Sequence, residues 1–310
     1  MNKIICVVGP TASGKTALAV ELAKELNGEV ISCDSMQIYR GMDIGTAKPT
    51  AEEMQNIPHH MIDICDPTED FSVSRYTEMA TPILEDVLSR GKTAIIAGGT
   101  GLYVESLIKG NDFAPIPATG HRERLEQQIA EAGIEPLLAQ LRAIDPDAAD
   151  RSQGNPRRII RALEVYYETG QTITAHNLKT QAIPPRFDAT WIGLDFENRI
   201  DLYDRIDRRV EIMLDMGLLN EIRGILAAGI PEKATALQAI GYKEFVDALA
   251  GRATLQSAIE QVQQSSRRYA KRQLTWFRRN PQMQWIIRRP ETSGEEILAL
   301  ALQITGKSDN

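Results

Sequence analysis

The sequence is poor in cysteine, histidine and aromatic residues, and it contains no long apolar run. Of its 310 residues, 3 are cysteine, 4 are histidine and 5% are aromatic. An odd number of cysteines, with no C-x-x-C pair and no histidine at ligand spacing, indicates neither a disulfide framework nor a zinc site. No stretch approaches the length of a membrane span, and an apolar segment begins close to Met1. We therefore expect a cytoplasmic protein with no signal peptide and no membrane contact.

A surplus of positive charge is absent as well. The chain has 35 lysine and arginine residues against 42 aspartate and glutamate residues, which gives a net charge of −7. This balance does not indicate a nucleic-acid-binding protein, although a sum over the whole chain conceals local patches. The composition, 43% hydrophobic and 25% charged, is ordinary for a globular protein, and the length allows one large domain or two.

The most informative feature that is present is a phosphate-binding motif near the start of the chain. The segment IICVVGPTASGKT opens with the apolar, β-branched run of a buried strand and continues as G-x-x-x-x-G-K-[ST]. The glycines let backbone N–H groups approach phosphate oxygens, Lys15 adds a positive charge, and the Thr16 hydroxyl is placed to hold Mg²⁺. A P-loop of this kind recognises a phosphate chain and not the group attached to it. We expect phosphate contacts from Gly9, Pro10, Thr11, Ala12, Ser13, Gly14, Lys15 and Thr16.

The order of the predicted elements indicates an α/β fold. Apolar strand segments at residues 4–8, 29–34, 61–64, 93–97, 190–195 and 284–288 alternate with amphipathic helices. This alternation predicts a P-loop NTPase-like parallel sheet flanked by helices. Residues 113–118 carry two prolines, and the pattern that follows them is entirely helical. We therefore predict a core of residues 1–115 and 188–310 and a small all-helical insertion at residues 116–187.

Asp34 ends the strand that we expect beside the P-loop strand. Its carboxylate could hold Mg²⁺ or act as a general base, or it could cap a turn, as aspartate commonly does. The strand at residues 93–97 ends in Gly98 and Gly99, without the acidic residue that an ATP-hydrolysing enzyme places there. Thr100 in the same turn has two equally favoured interpretations: a hydrogen bond to a phosphate or a base, and a helix cap. 

The loop residues around Asp34 differ in their expected roles. We expect Met36 and Tyr39 to pack against the core, whereas the amide of Gln37 can read the edge of a base. His59 and His60 have no obvious catalytic partner, and we interpret them as loop residues.

Two basic segments stand out against the negative net charge. Residues 267–279 contain six basic residues interleaved with Tyr269, Trp276 and Phe277, a composition that suits backbone contacts and base stacking. In an isolated helix we would favour a solvated charged face with the aromatic rings in the core. Because Arg157, Arg158 and Arg161 form a second basic group at helical spacing, binding to a polyanion is the better interpretation.

These segments together resemble the bacterial tRNA dimethylallyltransferases. The resemblance rests on Gly9 to Thr16, on Asp34-Ser-Met-Gln37, and on residues 39–49, 98–103, 157–164 and 239–243, in order over nearly the whole chain. It implies transfer of a dimethylallyl group from dimethylallyl diphosphate to N6 of adenosine-37, just 3′ of the anticodon, in tRNAs that read codons beginning with U. The P-loop would then hold a diphosphate leaving group, which accounts for the missing acidic residue after the strand at 93–97.

The resemblance also implies roles for individual residues. Asp34 matches the general base, and Lys15, Thr16, Mg²⁺ and Arg209, with Arg223, match the group that holds the diphosphate. The tRNA anticodon stem-loop would be contacted by Asp34, Ser35, Met36, Gln37, Thr100, Arg157, Arg158, Ile159, Ile160, Arg161, Gly241, Tyr242, Lys271 and Arg272. No zinc is implied, because the Cys/His finger of eukaryotic members is missing. We expect a monomer with no obligate protein partner.

Two other functions fit parts of the sequence. The first half alone would permit a small-molecule or nucleotide kinase that uses ATP. A non-catalytic RNA-binding module that keeps a structural P-loop is a third possibility.

Overall fold

The computed structural model describes residues 3–110, 119–182 and 184–306. It divides into two compact units, one formed by Met1–Gly110 with Arg186–Asn310 and the other by Asn111–Pro185. The change of pattern that we expected at residues 113–118 lies outside the described residues, so the domain boundary at 115 stays a prediction. Among the described residues, no helix is long and apolar enough to cross a membrane.

The first unit is built on a six-stranded sheet in which every pair of neighbours is parallel. The strand order is β3-β2-β4-β1-β5-β6. The strands are β1 (Ile4–Val8), β2 (Gly28–Ser32), β3 (His59–His60), β4 (Thr93–Gly98), β5 (Thr190–Phe196) and β6 (Met283–Arg288). The predicted parallel α/β fold is confirmed. The prediction for the third strand was wrong, because it placed a strand at residues 61–64 and interpreted His59 and His60 as loop.

Fourteen α-helices accompany the sheet in the described ranges. Those before the second unit are α1 (Lys15–Glu25), α2 (Ala51–Met54), α3 (Val73–Ser89) and α4 (Gly101–Lys109). Those of the second unit are α5 (His121–Ala132), α6 (Glu135–Ile144), α7 (Pro146–Ser152), α8 (Pro156–Thr169) and α9 (Ile173–Ala182). The chain ends with α10 (Arg199–Asp215), α11 (Leu218–Ala227), α12 (Lys243–Leu249), α13 (Leu255–Phe277) and α14 (Gly294–Thr305).

The central strand β1 is buried on both faces. Ile4, Cys6 and Val8 belong to one hydrophobic core, and Ile5 and Val7 belong to another. Because successive side chains of a strand point to opposite faces, the unbroken apolar run follows from this position in the middle of the sheet. The two cores hold β1 rigidly at the point where it leads into the P-loop.

The second unit has a small core of its own. Leu125, Leu141, Ile159 and Leu163 are buried together between its helices. The short helix α7, which we did not predict, begins at Pro146 with Asp145 as its N-cap, and the carboxylate of Asp145 accepts a hydrogen bond from the Ala148 N–H. This acceptor satisfies an N–H group at the start of the helix that would otherwise lack a partner.

Candidate active site

Three loops meet at one edge of the sheet because β2, β4 and β1 are parallel and follow one another in that order. The expectation that the strand before Asp34 lies beside the P-loop strand was wrong, because β4 lies between β2 and β1. The P-loop follows β1, Asp34 follows β2, and the Gly98 to Thr100 turn ends β4. Hydrogen bonds join the last two: the Thr100 N–H donates to the Cys33 carbonyl over 3.1 Å, and the Ser35 N–H donates to Thr100 Oγ1 over 3.1 Å. The carboxyl edge of a parallel sheet is where open α/β folds bind ligands.

The backbone of the P-loop has the geometry of an anion site. Gly9 and Gly14 have φ angles of 148° and 91°, in the region that favours glycine. A Cβ at Gly9 would lie 2.6 Å from the Leu194 carbonyl oxygen, so the close approach to β5 also requires glycine there. Helix α1 begins directly after Gly14 and has no side-chain cap. Its first N–H groups, at the positive end of the helix dipole, are therefore available to an anion.

Basic side chains lie against the P-loop. Lys15 Nζ donates to the Pro10 carbonyl over 2.7 Å, and Arg209 Nη1 lies 3.5 Å from Thr11 Oγ1. Burial lowers the pKa of Lys15 to about 7, an effect that the Arg209 charge strengthens and the Asp34 charge opposes. Burial likewise lowers the pKa of Arg209. The positive charges of Lys15 and Arg209 repel each other in this partly buried site, and a bound anion would relieve that repulsion.

Two further arginines, neither of them predicted as a site residue, contact the P-loop. Arg205 Nε donates to the Ala12 carbonyl over 3.1 Å, and Arg288 Nη1 donates to the Ser13 carbonyl over 2.5 Å. Both guanidinium groups lie over the ring of Phe196. These bonds give the Ala12 and Ser13 carbonyl oxygens cationic partners, which offsets the repulsion between those oxygens and a bound anion.

Arg223, by contrast, is not brought to the P-loop by any contact among the described residues. It is exposed on α11, and its Nη1 donates to Asn220 Oδ1 over 2.8 Å. Its predicted part in holding the diphosphate stays a prediction without structural support.

Asp34 caps a turn and also faces the site. Its Oδ1 accepts the Met36 N–H over 2.8 Å and the Gln37 N–H over 3.4 Å, which is the turn interpretation. No described residue donates to Oδ2. The Asp34 charge acts on the pKa of Lys15 and Arg209. The Asp34 loop therefore orients the carboxylate through Oδ1. Oδ2 keeps its capacity to accept a hydrogen bond, close to the basic side of the P-loop.

Tyr269 of α13 is a neighbour of Asp34 that the sequence did not reveal as a site residue. Burial raises the pKa of Tyr269 to about 12, and the Asp34 charge adds to this rise, while hydrogen bonds with Thr100 and Gln273 oppose it. The phenol therefore stays protonated at neutral pH. In the sequence, Tyr269 stood out only as one of the aromatic residues among the basic residues of 267–279. We attributed those aromatic residues to base stacking.

The loop of residues 35–49 is held by side chains from distant elements. Both oxygens of Glu221 on α11 serve as acceptors: Oε2 for the Asp43 and Ile44 N–H groups, at 2.9 and 2.7 Å, and Oε1 for the Gly45 N–H at 3.2 Å. Tyr242 donates its hydroxyl to Glu221 Oε1 over 2.6 Å. A Cβ at Gly45 would lie 2.4 Å from the Tyr242 ring, so glycine is required at that position.

Four of the predicted RNA-contact residues are buried, and their contact with tRNA stays a prediction. Tyr242 is fully buried, and Gly241 is buried with its N–H bonded to Glu244 Oε2. Ile159 and Ile160 are buried in the core of the second unit, at 0% and 5% exposure. The side chains of Tyr242, Ile159 and Ile160 pack in hydrophobic cores, because the matched sequence blocks contain core residues as well as exposed ones.

Other predicted contacts lie on or near the surface. Gln37 is half-buried, and its Nε2 donates to the Ala47 and Thr46 carbonyls at 3.0 and 3.3 Å, so its amide stabilises the loop in this structure. Met36 is partly buried against the core around Tyr39, as expected. Arg157, Arg158, Arg161, Lys271 and Arg272 are exposed, and Ser35 is half-buried. Contact of these residues with tRNA stays a prediction.

Helix α13 separates into a buried and an exposed face. Ala270, Gln273, Leu274 and Phe277 are buried, whereas Lys271 and Arg272 point to solvent. Two of its basic residues are paired within the first unit: Arg267 with Asp207 over 2.5 Å and Arg278, at the end of the helix, with Asp195 over 2.8 Å. Two of the six basic residues of this segment are therefore paired, and Phe277 belongs to the core and not to a stacking surface.

The oxygen atoms near the P-loop suit a hard cation with few protein ligands. Thr16 is exposed at the start of α1, and Asp34 contributes a carboxylate. Among the described residues, no group of three or more His, Cys, Asp or Glu side chains could form a metal cage. A site with one or two protein oxygens is what Mg²⁺ uses when substrate phosphates and water complete its octahedron.

Comparison with known proteins decides what this site belongs to. The profile described as IPP transferase matches residues 37–280. The chain belongs to the IPP transferase family. Proteins named tRNA dimethylallyltransferase share 45% identity over 96% of both chains in Acetivibrio thermocellus, and 46% identity over 99% of this chain and 98% of the relative in Halalkalibacterium halodurans.

Solved structures support membership of the IPP transferase family. The full-length tRNA isopentenylpyrophosphate transferase from Bacillus halodurans is 44% identical, with a TM-score of 0.74, and the match covers 99% of this chain and 97% of that chain. A eukaryotic dimethylallyltransferase acting on tRNA is 28% identical with a TM-score of 0.83 over 99% of this chain and 81% of that chain. The sheet with its P-loop is thus the fold of an IPP transferase.

Proposed function

We propose that this chain transfers a dimethylallyl group from dimethylallyl diphosphate to N6 of adenosine-37 in tRNAs that read codons beginning with U. The products are N6-dimethylallyladenosine in the tRNA and diphosphate. The observation that carries the proposal is a P-loop lined with basic groups beside Asp34, with Gly98 and Gly99 where an ATPase has an acidic residue. The near-full-length similarity to named tRNA dimethylallyltransferases supports the choice of substrates.

The P-loop acts on the leaving group. As the allylic C–O bond breaks, negative charge grows on the departing diphosphate. Lys15, Arg209 and the first N–H groups of α1 surround the place where that charge develops. Preorganised donors of this kind lower the barrier because they do not have to reorient during the reaction. Arg205 and Arg288 support this role by binding the carbonyl groups of Ala12 and Ser13.

A divalent cation fits the same place. Thr16 would hold it on the protein side, with Asp34 as a second possible oxygen ligand, and Mg²⁺ is the ion that this donor set favours. The cation would supply additional neutralisation of the diphosphate.

Asp34 acts on the nucleophile. The exocyclic N6 of adenine is weakly nucleophilic because its lone pair is delocalised into the ring. As the N6–C bond forms, N6 loses a proton, and Asp34 Oδ2 accepts it while Oδ1 remains bonded to the Met36 N–H. The adenosine has to leave the stack of the anticodon loop to reach this position.

The tRNA contacts follow from exposed positive charge. Lys271 and Arg272 of α13 and the basic group Arg157, Arg158 and Arg161 of α8 present guanidinium and ammonium groups to solvent, which suits phosphate contacts. With tRNA as its substrate, the enzyme works in the cytoplasm, and we propose that it does so as a monomer.

A transfer assay tests the proposal. The chain is incubated with an anticodon stem-loop RNA and radiolabelled dimethylallyl diphosphate, and label in the RNA is the expected result. A parallel reaction with ATP tests the alternative of a kinase. Absence of label in the RNA, together with ATP turnover on a metabolite, would overturn the proposal. RNA binding with neither activity would indicate a non-catalytic module.

A further inference from the structure

Gln273 on α13 connects two of the three loops of the site. Its side chain is only 5% exposed. Its Oε1 accepts the backbone N–H of Thr11 over 2.8 Å, and its Nε2 donates to the Gly99 carbonyl over 3.0 Å. One amide thus joins the P-loop after β1 to the turn after β4.

The chemistry of the side chain suits this place. An amide offers one acceptor and two donors on a single flat group, so it satisfies an N–H group and a carbonyl group at the same time. Leucine would leave both buried backbone groups without a partner, and glutamate would set a negative charge against the Gly99 carbonyl. Asparagine is one methylene shorter, and its amide would not reach both loops from the same backbone position.

Gly99 is adapted to the same contact. A Cβ at residue 99 would lie 2.1 Å from Gln273 Nε2, closer than any real contact. The glycine therefore leaves the room in which the amide sits. This gives Gly99 a packing reason that is independent of phosphate binding.

The two loops joined by Gln273 serve the two halves of the reaction. Thr11 lies beside Arg209 on the diphosphate side. The turn that contains Gly99 continues to Thr100, whose Oγ1 accepts the N–H of Ser35, the residue after Asp34. A chain of short contacts therefore runs from the P-loop through Gln273 to the loop of the general base.

We propose that Gln273 is a positioning residue that fixes the P-loop relative to the Gly98 to Thr100 turn, so that the leaving diphosphate and the adenosine are held in register. The part of this proposal that concerns the diphosphate and the adenosine rests on the proposed function. Both ends of its amide are bonded to backbone groups, so Gln273 acts on the reaction through the two loops that it joins. Its effect is therefore on diphosphate affinity and on the chemical step.

The test uses two substitutions and a matched control in the full chain. Gln273→Leu removes both hydrogen bonds to the backbone, and Gln273→Glu keeps the acceptor for Thr11 but loses the donor to Gly99. Gln256→Leu changes the same residue type near the other end of α13, where the side chain is exposed and bonds Glu260. Calorimetric titration with inorganic diphosphate and Mg²⁺ measures the diphosphate affinity without requiring turnover.

We expect both Gln273 variants to bind inorganic diphosphate about tenfold more weakly than the unsubstituted chain, since each loses at least one buried hydrogen bond. Their kcat with stem-loop RNA should fall as well, while the KM for RNA stays unchanged because Lys271 and Arg272 are untouched. Gln256→Leu should match the unsubstituted chain in all three quantities.

A role limited to helix packing predicts a different result. If a folded Gln273 variant kept its diphosphate affinity and kcat within about twofold of the unsubstituted chain, the proposal would be wrong. Should Gln273→Leu fail to fold, Gln273→Asn decides, because its shorter amide cannot reach both loops and adds no charge beside the diphosphate site. If the unsubstituted chain binds diphosphate but transfers no label, the proposed function fails while the effect of Gln273 on diphosphate binding remains measurable.

Discussion

The P-loop and the loop of residues 35–49 lie at the same edge of the sheet but are stabilised in different ways. The turns of the P-loop come from residues inside its own motif, since Gly9 and Gly14 have positive φ angles and Lys15 bonds the Pro10 carbonyl, although Gln273 and Arg288 from distant elements also bind the loop. The second loop is irregular, and Glu221 and Tyr242 hold it from more than 170 residues away in sequence. A local motif can therefore be recognised in the sequence, whereas a loop held by distant side chains cannot be reconstructed from it.

A buried lysine strengthens the same contrast. Lys48 is the last basic residue of the second loop, and its Nζ donates to the Tyr39 carbonyl over 2.8 Å and to the carboxylates of Asp43 and Asp63. Its side chain is 5% exposed. Burying an ammonium group is costly unless it is paired and hydrogen-bonded, and this one is both. The lysine thus fixes the loop on one side while Glu221 fixes it on the other.

The largest expected effect concerns Asp34, where the second loop begins. Asp34→Asn keeps the shape of the side chain but removes its ability to take a proton from N6. We expect the single-turnover rate to fall by roughly 10²- to 10⁴-fold, with RNA binding nearly unchanged. The control is Asp215→Asn, an exposed residue at the end of α10. A normal single-turnover rate for Asp34→Asn would exclude the residue as the base.

Arg209 contacts the P-loop and Arg223 does not, so substitutions at the two positions should have different effects. Because Arg209 lies against Thr11, Arg209→Ala should raise the Kd for dimethylallyl diphosphate by about 10- to 100-fold, as expected for a charge-assisted contact. Arg223→Ala should have little effect, since within the described ranges Arg223 bonds Asn220 and makes no contact with the P-loop. Equal losses in the two variants would show that Arg223 reaches the diphosphate when substrate binds.

The exposed face of α13 belongs to neither loop, and its charges should affect only RNA. Replacing Lys271 and Arg272 together by alanine should weaken stem-loop RNA binding and reduce the slope of log K against log salt by about 1 to 2. Binding isotherms at several salt concentrations measure this slope. Lys24→Ala combined with Lys233→Ala removes the same charge from exposed positions elsewhere. An identical slope in both double variants would place RNA on another surface.

Glu221 tests whether the second loop depends on its distant contacts. Glu221→Gln turns one acceptor oxygen into a donor that faces N–H groups or the Tyr242 hydroxyl. We expect the free energy of unfolding to fall by about 1–2 kcal/mol, with faster amide exchange at residues 43–45. Glu211→Gln, on the exposed face of α10, is the control. Unchanged exchange at those amides would mean that the loop is held by Lys48 alone.

The smallest effect is a change in protonation at Lys15. In the free protein burial lowers its pKa to about 7, so the amine is mostly neutral at higher pH. A bound diphosphate favours the charged form and raises this pKa, so binding at about pH 8 should take up close to one proton through Lys15. Affinity should correspondingly fall as the pH rises above about 7.

Calorimetry in buffers of different ionisation enthalpy measures this uptake. The difference between the unsubstituted chain and Lys15→Met isolates the contribution of Lys15 from the titration of diphosphate itself. No difference between the two would show that Lys15 is already protonated before the diphosphate arrives.

The sequence by itself determined the elements whose signals are local. The apolar run of β1 and the glycines of the P-loop are each encoded within a few neighbouring residues, and both were predicted. Strand β3 was misplaced because a strand of two residues has no periodicity to detect. Helix α7 was missed for a similar reason, since it is only 7 residues long.

Only the tertiary structure decided which residues of the matched segments are buried. Tyr242, Ile159 and Ile160 lie in segments that resemble RNA-contacting ones, yet all three are core residues. The structure likewise brings Gln273 to Thr11 across 262 residues and Arg288 to Ser13 across 275. Backbone geometry and helix caps depend on near neighbours, whereas burial and the pairing of polar groups depend on which distant elements pack together. That is the physical reason why the phosphate loop could be recognised in the sequence but its supporting side chains could not.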